Sequence, residues 1–134
     1  MFKHPITYVD FNGIERKEDF YFHLSTPELV RLEAELKMPL HEYAEKLAEE
    51  KDIDKLLPFL EKLILTSYGR KTSDGRSFQK SEEIRKDFEY SQAYAELFEQ
   101  MLTNPELAKK FGENIAQNGS ARLSAKATHP ALAK

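Results

Sequence analysis

The stretch from Asp52 to Ser81, DIDKLLPFLEKLILTSYGRKTSDGRSFQKS, constrains this chain most. Ile53, Leu56, Leu57, Leu60, Leu63, Ile64 and Tyr68 recur at helical spacing, with Phe59 and Leu65 off that stripe. A helix apolar over so much of its circumference is contacted from more than one side, so the other elements must pack around it. Asp52 supplies its N-cap. Pro58 removes one helical hydrogen bond, which predicts a kink there or a start nearer Leu57. Gly69 fits a left-handed C-terminal cap, followed by Arg70 and Lys71 at the negative end of the helix dipole. Thr72 to Lys80 then reads as a loop. Asp74-Gly75 marks a turn in it, with a miniature hairpin as one option, and Phe78 is its one large apolar anchor.

Upstream, Ile6 to Leu24 reads as a β-hairpin, because Asn12-Gly13 is a strong two-residue turn signal. That turn pairs Phe11 with Ile14 and Val9 with Arg16, and sets Asp10 against Glu15, an unfavourable like-charge pair. Either the two carboxylates splay into solvent, or the loop is longer and the register shifts. Phe20 and Phe22 share one face of the return strand, Tyr21 and His23 the other. A hairpin is not stable alone, so its aromatic face must lie on helices.

Ser25-Thr26-Pro27-Glu28 carries the marks of a capping box with proline in the first turn. Leu29, Leu32 and Leu36 follow on one face, and Lys37-Met38-Pro39 ends that helix. Leu40, Tyr43, Ala44, Leu47 and Ala48 form the apolar face of a second, highly charged helix. Ser81 starts a short helix with Ile84 and Phe88. Tyr90, Ala93, Tyr94, Leu97, Phe98, Met101 and Leu102 give another stripe, capped anew by Ser91 or continuous with the helix before it. Asn104-Pro105 opens a last helix carrying Leu107, Ala108, Phe111 and Ile115 and ending near Asn118-Gly119. The expected fold is α+β and predominantly α-helical: an N-terminal hairpin packed on a bundle of about five to six short helices. A single domain is expected over residues 1–119, and residues 120–134, basic and without an acidic residue, are expected to form a flexible tail.

A chain of 134 residues is long enough to build one real core. Its 20 Lys and Arg against 23 Asp and Glu leave a net charge of −3, far from the clustered positive charge that phosphate binding demands, so no nucleic-acid partner is expected. With no cysteine, a disulfide framework and a thiolate metal site are both excluded. No apolar run reaches membrane-spanning length, and MFKHPITY has no apolar signal-peptide core; a cytosolic protein with no membrane partner is expected.

Catalytic chemistry needs converging groups, and the sequence offers few. His4 and His23 can approach across the hairpin with Asp10 or Asp19, which would make a small metal-dependent enzyme; the plainer reading is two exposed strand histidines. Glu82, Glu83, Asp87 and Glu89 read as a charged helix face. No cofactor is expected. The loop residues Arg70, Lys71, Arg76 and Lys80 either serve solubility and helix capping or form a surface for an anionic partner. Tyr90, Tyr94 and Phe98 either belong to the core or line a groove for a partner helix.

Three segments resemble the tail assembly chaperones of long-tailed, siphovirus-type phages of Gram-positive bacteria. They are PITYVDFNGIERKEDFYFHLSTPEL (5–29), FLEKLILTSYGRKTSDGRSFQKSEEIRKDF (59–88) and SQAYAELFEQML (91–102). The most specific part is Leu-Ile-Leu followed by Ser-Tyr-Gly, then Ser-Asp-Gly, Phe78 and Lys80-Ser81. Met38 to Lys51 is more charged than the helix usual in that family. The resemblance implies a non-enzymatic protein that coats the tape measure protein, keeps it soluble and helps recruit the major tail tube protein. It also implies residence in the host cytoplasm during assembly and absence from the mature virion; weak self-association along the client would multiply the effect through effective concentration. A neck or tail-completion protein of the virion is the alternative. Arg70, Lys71, Arg76, Lys80, Tyr90 and Tyr94 are the candidate partner-binding residues.

Overall fold

The computed structural model describes residues 1–115 of the chain. The tail expected over residues 120–134, the domain boundary at 119 and the helix end near Asn118-Gly119 lie outside the described residues. The elements run β1 (Phe2–Val9), β2 (Glu15–Phe22), α1 (Thr26–Leu36), α2 (Leu40–Glu50), α3 (Ile53–Ser67), β3 (Tyr68–Lys71), β4 (Phe78–Gln79), α4 (Glu82–Glu89), α5 (Gln92–Thr103) and α6 (105–115). This is the predominantly helical α+β fold that the sequence predicts, with the hairpin at its start and six helices among the described residues.

The helix boundaries follow from local chemistry. The Ser25 hydroxyl accepts from Glu28 N and the Glu28 carboxylate accepts from Ser25 N, which completes the capping box of α1. Pro39 has no side chain with which to cap α2, and Glu33 of α1 reaches across instead to accept from Leu40 N at 2.6 Å. Asp52 caps α3, which begins at Ile53 and runs on past Pro58. Pro58 lies barely one turn into that helix, so the only bond it removes is one to the carbonyl of Asp54. Ser91 caps α5 anew, so α4 and α5 are separate helices.

The first hairpin resolves its charge conflict by changing register. Asp10 N–H donates to the Ile14 carbonyl and Gly13 N–H to the Asp10 carbonyl, both at 2.9 Å. The loop is therefore three residues, Phe11-Asn12-Gly13, with Gly13 at φ 79°, the arrangement of a type I turn closed by a glycine bulge. Asn12 keeps a negative φ, so the two-residue turn expected at Asn12-Gly13 does not form. Val9 now faces Glu15 and Tyr8 faces Arg16, and Asp10 no longer opposes a carboxylate.

The sheet is larger than a hairpin. Its four strands are ordered β1-β2-β3-β4, all antiparallel. Tyr68 leaves α3 to pair with Phe22, and Gly69 pairs with Tyr21. Gly69 is thus a strand residue and not the left-handed helix cap that the sequence predicts. A Cβ on Gly69 would stand 2.6 Å from Phe78 Cε2 and 2.9 Å from the Gln79 carbonyl oxygen, so close approach of β4 is what requires glycine here. The miniature hairpin at Asp74-Gly75 does form, with Gly75 at φ 75° and Thr72 N–H donating to the Ser77 carbonyl. Phe78 lies over Gly69 and edge-on to His23, on the sheet face away from the main core.

One core sits between the inner sheet face and the helices. Phe2, Ile6 and Phe22 of the sheet meet Leu29 and Leu32 of α1, Leu60, Leu63 and Ile64 of α3, Phe88 of α4, Leu97 of α5 and Phe111 of α6. An aromatic row crosses it: Phe20 and Phe22 both touch Tyr68 and Phe88, Tyr68 stacks on Phe88 at 4.1 Å between centroids, and Phe88 meets Tyr94. α3 contributes to this core throughout its second half, whereas Ile53 at its start is exposed.

Candidate interaction surface

The sequence-predicted residues lie on the second hairpin, on α5 and at the end of α4. Arg70 on β3 donates to Asp87 of α4 at 2.5 Å. One turn on from Asp87, Tyr90 is 69% exposed, the most open tyrosine of this region. Tyr94 is half-buried between Phe88 and Phe98. Burial pushes its hydroxyl up to about 12, helped by the carboxylates of Glu61 and Glu89. Lys71 extends over the ring of Tyr21 at 5.8 Å, and Arg76 is exposed beside the Asp74-Gly75 turn. Arg70 and Lys71 thus point to opposite sides of β3, Arg70 toward α4 and Lys71 over Tyr21, while Tyr94 packs beside the core.

Lys80 is placed differently. Its ammonium donates to both oxygens of Glu28 (2.9 and 2.7 Å), to the His23 carbonyl (2.7 Å) and to the Thr66 carbonyl (2.8 Å). Its side chain is 23% exposed. Burial pulls it below the ordinary lysine value, and Glu28 opposes that. It ties together the end of β2, the end of α3, the start of α1 and the return from β4, and its donors are spent on internal oxygens.

The two hairpin histidines do not come together. His4 is on the inner face, stacked on Phe2 with Nε2 3.4 Å from Gln100 Oε1, while His23 is on the outer face against Phe78. Burial lowers His23, and the nearby Lys80 ammonium adds to this. Among the described residues no group of three His, Asp or Glu side chains is placed to hold a metal ion. Among the described residues no helix is long and apolar enough to cross a membrane.

A feature that sequence reasoning missed is the far end of the first hairpin. Val9, Phe11 and Ile14 are 53%, 75% and 54% exposed. Every residue from Phe11 to Asp19 is exposed, so this half of the hairpin is open on both faces. It is nonetheless tightly built. The Asp10 carboxylate accepts from Asn12 N and Ile14 N at 2.9 Å and from Arg16 Nε at 2.6 Å, and the Arg16 guanidinium above all holds its pKa below the usual carboxylate value. The Tyr8 hydroxyl donates to Glu18. The available signal was Asp10 itself, an Asx acceptor just ahead of Asn-Gly.

These observations define a small α+β protein whose exposed features include the ring of Tyr90 and an apolar hairpin tip. The chain belongs to the phage tail assembly chaperone family, whose model matches residues 1–117. No curated protein and no solved structure gives a significant match.

Proposed function

We propose that this chain binds and solubilises the tape measure protein during tail morphogenesis and helps recruit tail tube subunits, without catalysing a reaction. The observation that carries this reading is the family match, which extends over residues 1–117. In this reading the protein works in the host cytoplasm while the tail is assembled and is absent from the mature virion. Arg70, Lys71, Arg76, Tyr90 and Tyr94 contact the client, and Lys80 anchors the second hairpin, which carries Arg70, Lys71 and Arg76. Tyrosine rings suit such a task, because they contribute contact area at little conformational cost. Modest affinity per copy lets tube subunits displace the chaperone, and many copies on one client compensate through effective concentration.

Co-expression with the tape measure protein of the same phage tests the proposal. The expected result is a higher soluble yield of the client, lowered again by Tyr94→Ala and by Lys71→Glu while both variants remain folded. An unchanged client yield with the wild-type chain contradicts it. Mass spectrometry of purified virions checks the second part: abundant chain in mature particles identifies a structural virion protein instead.

A further inference from the structure

We propose that His23 is a proton-operated latch for the second hairpin: when its ring takes up a proton, β4 and Phe78 lift off β3 while the main core stays folded. The latch belongs to the chain alone and does not depend on what the chain binds.

Little holds the second hairpin down. β4 is two residues long and pairs only with β3, Gln79 against Arg70 and Phe78 against Lys71. The turn from Ser73 to Ser77 is exposed throughout. Two side chains anchor the returning strand. Phe78 lies over Gly69 and edge-on to His23, with ring centroids 6.1 Å apart. Lys80 donates to the His23 and Thr66 carbonyls and to Glu28, and its ammonium stands 5.7 Å from the centre of the Phe78 ring. Both anchors therefore meet at His23, on the sheet face away from the main core.

His23 is poorly placed to carry a charge. Its Nδ1 is buried and is the one such side-chain atom without a hydrogen-bond partner among the described residues. An unpaired buried N–H costs more than an unpaired lone pair, so the neutral ring keeps its proton on Nε2 and turns the Nδ1 lone pair inward. A second proton has to go to Nδ1, where no acceptor meets it. Three charged groups surround the ring: Lys80 after β4, the terminal ammonium of Met1 before β1, and Glu28 of α1. α3 presents Thr66 and Ser67, which carry no charge. Burial first, then the two cations, hold the His23 pKa below the usual histidine value, and Glu28 opposes them. Lifting the hairpin takes away the Phe78 cover and the Lys80 ammonium together, so the lifted state accepts the proton that the docked state resists. Docking therefore weakens as the pH falls below about 6.5.

Hydrogen exchange of the full chain, followed amide by amide by NMR from about pH 7.5 to about 5.5 and corrected for intrinsic rates, tests this. Thr72 N–H donates to the Ser77 carbonyl, so the next hydrogen-bonded pair of the ladder is Arg70 with Gln79, and protection of the Gln79 amide reports β4 on β3. Gln79 should open more often than Leu97 in the core. Its opening constant should rise several-fold, and at most about tenfold, across this range. Glu28, whose own value is depressed, titrates below it. His23→Phe keeps an aromatic edge against Phe78 and cannot titrate, so its Gln79 opening constant should stay flat. His23→Gln, smaller and also non-titrating, should be flat as well, which guards against a disturbance peculiar to the phenylalanine. A wild-type opening constant that does not change with pH overturns the proposal. So does an equal rise in both variants, or a Gln79 amide that opens only as often as Leu97.

Discussion

The ammonium of Lys80 lies 2.7 Å from one oxygen of Glu28 and 2.9 Å from the other, joining residues 52 positions apart in the chain. The same nitrogen donates to the carbonyls of His23 and Thr66, and Glu28 also closes the capping box of α1. Four segments meet at this pair, which fixes the loop that carries Arg70, Lys71 and Arg76. Removing the lysine leaves a carboxylate with one-quarter of its surface in water, and two backbone carbonyls without this donor. Lys80→Met should therefore cost about 2–4 kcal/mol in chemical denaturation. Lys80→Met on a Glu28→Gln background should cost clearly less, because no unpaired charge remains. Equal costs in both backgrounds would show that the pair is not coupled.

The same pair sets an acid limit. Burial alone would raise Glu28, but the hydrogen bonds from Lys80 and Ser25 outweigh it and leave its pKa below the ordinary glutamate value. A carboxyl whose folded value is depressed adds stability above its unfolded pKa of about 4.3 and loses it as the pH falls through the folded value. Stability measured by urea denaturation should begin to fall below about 6.5, where the unfolded chain takes up a proton at His23 that the folded chain resists, and fall further below about 5 as Glu28 is protonated. Glu28→Gln should be less stable at neutral pH and show a shallower decline in acid.

Gly69 carries a prediction of the opposite kind, in which an added atom is harmful. A Cβ there meets the Phe78 ring and, at 2.9 Å, the Gln79 carbonyl, which cannot rotate away as a side chain can. Gly69→Ala should destabilise by about 1–3 kcal/mol through forced separation of β3 and β4. Gly69→Ala/Phe78→Ala should recover no more than part of that, since the backbone contact remains. Thermal denaturation of the two variants beside wild type checks both statements.

Two helix ends are strained by their sequence. Lys37 after α1 and Lys51 after α2 occupy the left-handed region, at φ 61° and 52°, where a side chain is unfavourable. Lys37→Gly and Lys51→Gly should each stabilise by about 0.5–1 kcal/mol, measured as a rise in the urea midpoint. A lower midpoint would mean that these lysine side chains contribute more through contacts than their backbones cost.

Much of the helical layout was legible in the sequence because it is set locally. Ser25, Asp52, Ser81, Ser91 and Asn104-Pro105 each mark a boundary through groups within three residues of one another. The sheet was legible only in part. Tyr68-Gly69 continues the chemistry of α3, and its strand identity comes from pairing with Tyr21 and Phe22 more than forty residues earlier. The hairpin register turned on a single carboxylate, Asp10, which accepts from the loop and so favours a three-residue turn over the two-residue one that Asn-Gly announces. Among the candidate site residues, composition could not separate Lys80 from Arg70, Lys71 and Arg76. Only the convergence of Glu28, His23 and Thr66 in space sets it apart.

The central claim is that this chain holds a tail client in solution, and co-purification measures it most directly. A tagged chain is co-expressed with the tape measure protein of the same phage, recovered on the tag, and its molar ratio to the client determined. The account predicts a soluble complex with several copies of the chain on each tape measure protein, reduced in occupancy by Tyr94→Ala. A tape measure protein that stays insoluble and absent from the eluate, beside a folded and abundant chain, would contradict it.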